Sequence, residues 1–298
     1  MLHARLLALA LVVAFTSACA GVLVELGLGA ERGRADLRWQ RDDDGIVFLE
    51  RKVRAPKGTV LMVHGFGGSK DHWTRLAARL PQDLHLVALD LPGFGESPKD
   101  PHASYAATAQ VARLKRFVEL HGLQRFHLMG NSMGGRIAAE YALAYPSDVA
   151  SLVLFDPAGV TPPPGARQSH VIVVQSAADF DALLAAAFVT PPAIPDALKG
   201  YFAERAQQNA PLESRILDEL NATPGRLEER LDALAPPTLV VWGAEDRIID
   251  PAVAATWRAH LPAGDVVTMS KVGHAPMLER PEESAALVAV WWRRRGIR

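Results

Sequence analysis

The chain has 298 residues, 49% of them hydrophobic and 22% charged, which suits one large globular α/β domain with room for an inserted subdomain. Lys+Arg 32 against Asp+Glu 33 leaves no basic field, so nucleic acid is not expected as a partner. A single cysteine, Cys19, excludes an intrachain disulfide and a Cys-rich zinc site.

The first residues differ from the rest. Arg5 precedes an apolar run from Leu6 to Val24, broken by Thr16 and Ser17 and near the minimum length for spanning a bilayer. Three readings are compatible with it: a lipoprotein signal acylated at Cys19, an uncleaved anchor, or a cleaved secretory signal with a small-x-small site at Ala18-Cys19-Ala20. Thr16 stands where a lipobox usually has Leu, Val or Ile. All three imply delivery to or through a membrane, and an exported or membrane-attached protein on the extracytoplasmic side. A polar stretch, Glu31 to Asp44, follows.

Strands are expected at Ile46–Val53 and Thr59–His64, joined by a turn at Ala55-Pro56-Lys57-Gly58. The glycine-rich loop His64-Gly65-Phe66-Gly67-Gly68-Ser69 comes next. Leu76–Leu80 suggests a short helix, Leu84–Leu89 a strand ending in the turn-rich Asp90 to Ser97, and Tyr105–His121 a helix with Val111, Leu114, Phe117, Val118 and His121 on one face. Phe126–Met129 reads as a buried strand and Leu152–Phe155 as another, stopping at Asp156-Pro157. The alternation then breaks. Between Gly159 and Ala235 the pattern gives helices (179–188, 197–208, 212–220, 226–231) and one strand-like run, Val171–Val174. It resumes with a strand at Thr238–Trp242, a helix at Pro251–Leu261, a strand at Val266–Met269 and a closing helix at Pro281–Trp292. Alternating strands and helices imply a mostly parallel central sheet with flanking helices. The expected division is a leader and linker (1–35), a core in two parts (36–158 and 236–298) and an inserted helical cap (159–235).

Between the strand at Phe126–Met129 and a helical pattern from Ser132 lies Gly130-Asn131-Ser132-Met133-Gly134-Gly135, a G-x-S-x-G sequence. Alone it is weak, since glycine and serine are common in turns. With a strand before and a helix after, it reads as a sharp elbow that lifts the Ser132 hydroxyl above the sheet. Such a serine needs a base, and the base needs an acid. His170, His260 and His274 follow Ser132. His274, in the loop between the last strand and last helix, lies at the carboxyl edge with the elbow and is preferred. For the acid, Asp246 in Gly243-Ala244-Glu245-Asp246 is preferred, with Asp156 in reserve; Asp250 precedes Pro251 as a helix cap, and Glu245 points away if its loop is extended. The oxyanion donors of this arrangement would be the N–H groups of Phe66 and Met133. His64 is expected to brace that loop rather than to react. Phe66, Phe188 and Phe202 are candidate walls of a substrate pocket, Phe188 and Phe202 equally candidates for simple packing.

Four segments, His64–Trp73, Asp90–Ser97, Gly130–Gly135 and Gly273–Pro281, together resemble the signatures of the α/β-hydrolase superfamily from about residue 36 onward. With Phe155-Asp156-Pro157-Ala158-Gly159-Val160, the chain resembles more narrowly the bacterial esterases and lipases related to monoacylglycerol lipases. The resemblance implies the α/β-hydrolase fold, a Ser132–Asp246–His274 triad, hydrolysis of a small-molecule or lipid ester through an acyl-enzyme, and no cofactor or metal. Two alternatives stand beside it. Carbon–carbon bond hydrolases of aromatic ring-cleavage products share Gly-Asn-Ser-Met-Gly-Gly, but they usually carry Gly-Pro-Gly in the oxyanion loop and Trp after the histidine, where this chain has Phe66-Gly67-Gly68 and Ala275. A non-catalytic ligand-binding protein on the same fold is the other.

Overall fold

The structure, a computed structural model, describes residues 20–167, 173–222, 226–261 and 264–297. Eight strands form one sheet in the order β1-β2-β4-β3-β5-β6-β7-β8. They are β1 (Arg38–Arg41), β2 (Val47–Arg51), β3 (Gly58–Val63), β4 (Leu84–Leu89), β5 (Phe126–Asn131), β6 (Val149–Phe155), β7 (Thr238–Gly243) and β8 (Asp265–Met269). β1 and β2 pair antiparallel at one edge, and all pairs from β4 to β8 are parallel.

The central strands read as unbroken apolar runs because both of their faces are covered. Successive side chains of one strand go to opposite cores, as the two-residue period requires. Leu61 and Val63 join one core with Leu128, Leu152 and Leu154; Val60 and Met62 join the other with Met129, Val153 and Phe155. The first core is closed by α3 (Ala107–Leu120), α4 (Met133–Ala144) and α7 (Val253–His260). The second is closed by α2 (Thr74–Ala77), α8 (Pro276–Glu279) and α9 (Pro281–Arg294), with Trp291 and Trp292 buried beneath the sheet.

The elements expected from periodicity are present, with ends shifted by a few residues. Four features differ. The polar stretch 31–44 is not featureless: residues 20–34 form a helix, α1, and β1 follows it. β1 is an exposed edge strand, so it carries none of the apolar alternation that makes a strand visible in sequence. The expected helices 197–208 and 212–220 are one 27-residue helix, α6 (Asp196–Ala222), which runs through Pro211. Proline removes one backbone bond there, but Ile216 and Leu220 beyond it are buried against the first core and hold the helix on course. Of the strand-like run Val171–Val174, residues 171 and 172 lie outside the described residues, and 173 and 174 are in no strand. The stretch 226–231 is a 3-10 helix, Leu227–Ala233. Helix α5 (Ala177–Ala187), its N-terminus capped by the Ser176 hydroxyl, lies with α6 between β6 and β7. Cys19, His170 and most of the run Leu6–Val24 lie outside the described residues; among the described ones, no helix is long and apolar enough to cross a membrane.

Candidate active site

Ser132 joins β5 to α4 with φ 54 and ψ −120, a conformation that costs a non-glycine residue free energy. The turn is possible because its neighbours lack side chains. A Cβ on Gly130 would lie 2.4 Å from the Gly134 carbonyl oxygen, and one on Gly134 would lie 2.3 Å from the carbonyl oxygens of Val63 and His64. β3 therefore passes directly under the first turn of α4. The Ser132 N–H donates to the Phe155 carbonyl at 3.0 Å, tying the elbow to β6. Its hydroxyl borders a cavity and makes no direct hydrogen bond to His274.

The loops at the carboxyl ends of β6, β7 and β8 bring Asp156, Asp246 and His274 together. His274 Nδ1 lies 2.7 Å from Asp246 Oδ2. The other Asp246 oxygen accepts from the N–H groups of Ile248 at 2.8 Å and Ile249 at 3.0 Å. Three donors thus converge on one fully buried carboxylate. Asp156 is also fully buried, yet among the described residues its Oδ1 accepts only from the Gly243 N–H at 2.8 Å, and its Oδ2 has no hydrogen-bond partner. Burial, reinforced by the negative charge of Asp246, holds the Asp156 carboxyl protonated well above the ordinary range. Asp156, Asp246 and His274 each offer a ligand atom within 4.8 Å of the others, the spacing of a metal-holding group. A cation there would have to compete with the three donors on Asp246 and the proton on Asp156.

The family model for the alpha/beta hydrolase family matches residues 60–287. The chain belongs to this family. Among curated relatives, it is 37% identical over 270 residues to Lipase 1 of Psychrobacter immobilis, covering 86% of this chain and 84% of the relative. It is 31% identical over 259 residues to a monoacylglycerol lipase of Xenopus laevis, covering 81% of this chain and 77% of that one. Among solved structures, a bacterial membrane phospholipase A superposes with a TM-score of 0.88 at 37% identity, over 98% of both chains.

Within this alpha/beta hydrolase, the other candidate residues fall as follows. Phe66 sits in the turn after β3, closed by the Gly68 N–H to Gly65 carbonyl bond; neither its N–H nor that of Met133 has an acceptor among the described residues. His64 is fully buried: one ring nitrogen is 2.7 Å from the Gly65 carbonyl and the other accepts the Leu91 N–H at 3.0 Å, so it braces the loop. Burial lowers its pKa. Asp250 accepts from the Ala252 N–H as a cap, and His260, at the end of α7, is 3.7 Å from Asp232. Phe66, Phe188 and Phe202 all line the cavity; Phe66 also packs edge-on against Phe94, and Phe202 stacks on Phe180.

Sequence reasoning assigned no bracing role to the residues that set the His274 loop, Glu245 having been weighed there only as an acid. Asn131 Nδ2 donates to the carbonyls of Phe155 and His274, Glu245 accepts the Val272 N–H, and Glu279 accepts the Gly273 N–H. The His274 N–H donates to Ala187 at the end of α5, at 2.7 Å. Only Asn131 left a signal, its place beside Ser132. The others are acids close to the loop, and no spacing distinguishes a brace from a solvated charge. The cavity holds about 1600 Å³, large for a single small ligand.

Proposed function

We propose that this chain hydrolyses lipid carboxylic esters through a covalent acyl-enzyme, with Ser132 as nucleophile, His274 as base and Asp246 as orienting acid. The observation that carries this reading is the 2.7 Å His274–Asp246 hydrogen bond beside a strained elbow serine that borders the same cavity. The Asp246 carboxylate accepts a hydrogen bond from the Nδ1–H of the imidazole, which leaves Nε2 as the proton acceptor. On substrate binding, Ser132 Oγ turns toward Nε2 and attacks the ester carbonyl. His274 takes the serine proton and passes it to the leaving alcohol. Water, deprotonated by the same imidazole, then attacks the acyl-enzyme, and the proton returns to Ser132 as the acid leaves. The free N–H groups of Phe66 and Met133 receive the carbonyl oxygen as it becomes negative.

The acyl chain lies among Val24 and Leu28 of α1, Leu184 of α5, and Phe188, Ile194 and Phe202. Residues 159–235 act as a cap whose helix α5 both walls this region and fixes the His274 backbone. Medium-chain monoesters, monoacylglycerols among them, fit such a pocket. The apolar leader attaches the enzyme to a membrane on the extracytoplasmic side. Val22, Leu23 and Leu26 are 60–65% exposed on α1 while Val24 and Leu28 of the same helix face the cavity, which supports a substrate path beside the lipid surface. A fluorophosphonate probe should label Ser132, and Ser132→Ala should abolish both labelling and ester turnover at an unchanged Tm. Near-wild-type turnover in a folded Ser132→Ala variant would refute the reading.

A further inference from the structure

The cavity has an apolar end and a polar one, and the polar end is built by α6. Tyr201, Arg205, Asn209, Glu213, Leu217 and Asn221 recur every four residues on that helix, and all six line the cavity. Four-residue spacing sets each side chain beside the one a turn before it, with a drift of about 40° per step that lets the line wind along the cavity. A smaller pocket of about 390 Å³ adjoins this line at Tyr201, Arg205 and Asn209 and includes Lys99.

Glu213 is the unusual member of the line. It is 91% buried, since 9% remains exposed, and its carboxyl makes no hydrogen bond or ion pair among the described residues. The Asn209 carboxamide one turn away is also without a hydrogen-bond partner among them. A mostly buried carboxyl without a protein partner is uncommon in native proteins. Glu213 and the half-buried Asn209 both open to the cavity, where a ligand can meet them. Burial pushes the Glu213 carboxyl up to about 7, with Lys99 pulling the other way. Near neutral pH it is present both as acceptor and as donor. Arg205, whose guanidinium bonds the Tyr201 hydroxyl, places a cation on the same face, which disfavours a cationic head group, while Glu213 disfavours an anionic one.

The geometry points to a subsite for the alcohol moiety of the ester, in which Glu213 and Asn209 bind the free hydroxyls of an uncharged polyol head of the glycerol type. The inference rests on the ester-hydrolase reading above and adds the part of the substrate that leaves first. Hydroxyl groups both donate and accept, which matches a carboxamide and a half-titrated carboxyl better than any singly charged head.

The test compares kcat/KM for a 1-monoacylglycerol with that for the methyl ester of the same fatty acid, using the full chain. Glu213→Leu is expected to lower this ratio about tenfold, the loss of one or two hydrogen bonds to a charged or buried polar group. Its Tm should hold or rise, because the replaced carboxyl has no hydrogen-bond or ion-pair partner among the described residues. Glu213→Gln should recover part of the ratio, and Asn209→Ala should lower it severalfold. Gln207→Ala, on the exposed side of α6, should keep the wild-type ratio. An unchanged ratio in both Glu213→Leu and Asn209→Ala, or an equal loss on the two esters, would overturn the subsite. A wild-type enzyme that cleaves neither ester would instead overturn the ester-hydrolase reading itself.

Discussion

Asp246 and Asp156 are both buried carboxyls at the end of neighbouring strands, and replacing each by asparagine separates their roles. In Asp246→Asn, the side-chain oxygen remains the natural partner of the Ile248 and Ile249 N–H groups. The amide nitrogen then faces His274 Nδ1, now 2.7 Å from a donor. Two donors cannot bond, so the imidazole takes the tautomer with its proton on Nε2, and that nitrogen no longer accepts the Ser132 proton. The same change in a serine-protease triad lowers kcat about ten-thousandfold, or about 5 kcal/mol of barrier. Asp156→Asn is the opposite case. The Asp156 carboxyl is held protonated, with Oδ1 accepting from Gly243 and its other oxygen close to Asp246. A carboxamide copies that hydrogen-bonding pattern, so kcat should stay within about threefold, less than about 0.7 kcal/mol. Initial rates on a p-nitrophenyl ester, with active-site titration by fluorophosphonate and Tm on the same samples, measure both. A greater loss in Asp156→Asn than in Asp246→Asn, with folding intact, would show that the acid has been assigned to the wrong carboxyl.

The protonation of Asp156 has a consequence for stability. Above its ordinary pKa of 3.8, the unfolded chain loses this proton while the folded chain keeps it. Unfolding then releases a proton, and raising the pH favours it. The Tm of Asp156→Asn relative to wild type should therefore rise as the pH is raised above the ordinary 3.8; a constant difference in thermal scans would contradict the protonated state. Medium-chain p-nitrophenyl esters should exceed the acetate in kcat/KM, by up to about fourfold per methylene from ~0.8 kcal/mol of burial, until the apolar end is filled; a strict preference for acetate would contradict the pocket. Deleting residues 1–19 should move the enzyme from membranes to the soluble fraction with activity kept. Deleting 1–34 should also weaken turnover of long-chain esters, because Val24 and Leu28 wall the cavity and Arg32 is paired with Asp71. A full-length protein recovered wholly in the soluble fraction would refute membrane attachment.

The sequence by itself determined the parallel core of the sheet, the elbow, and the positions of Ser132 and His274 at the carboxyl ends of strands. Strands buried on both faces must be apolar throughout, and only small residues fit around a serine forced to positive φ, so Phe126–Met129 and Gly130-Asn131-Ser132-Met133-Gly134 are legible as chemistry. The position of His274 after the last strand followed from the same alternation. Tertiary structure decided what depends on distance between segments far apart in the chain. Asp156 and Asp246 are 90 positions apart and both end a core strand, and only the three donors packed around Asp246 and the single one at Asp156 tell them apart. Edge strand β1 has no buried face to write into its sequence, and α6 overrides Pro211 because Ile216 and Leu220 are packed beyond it. The polar line on α6 was likewise invisible, since Glu213 in sequence is one acid among many. Burial and the lack of a partner mark it out, and both arise only when the helix is laid across the cavity.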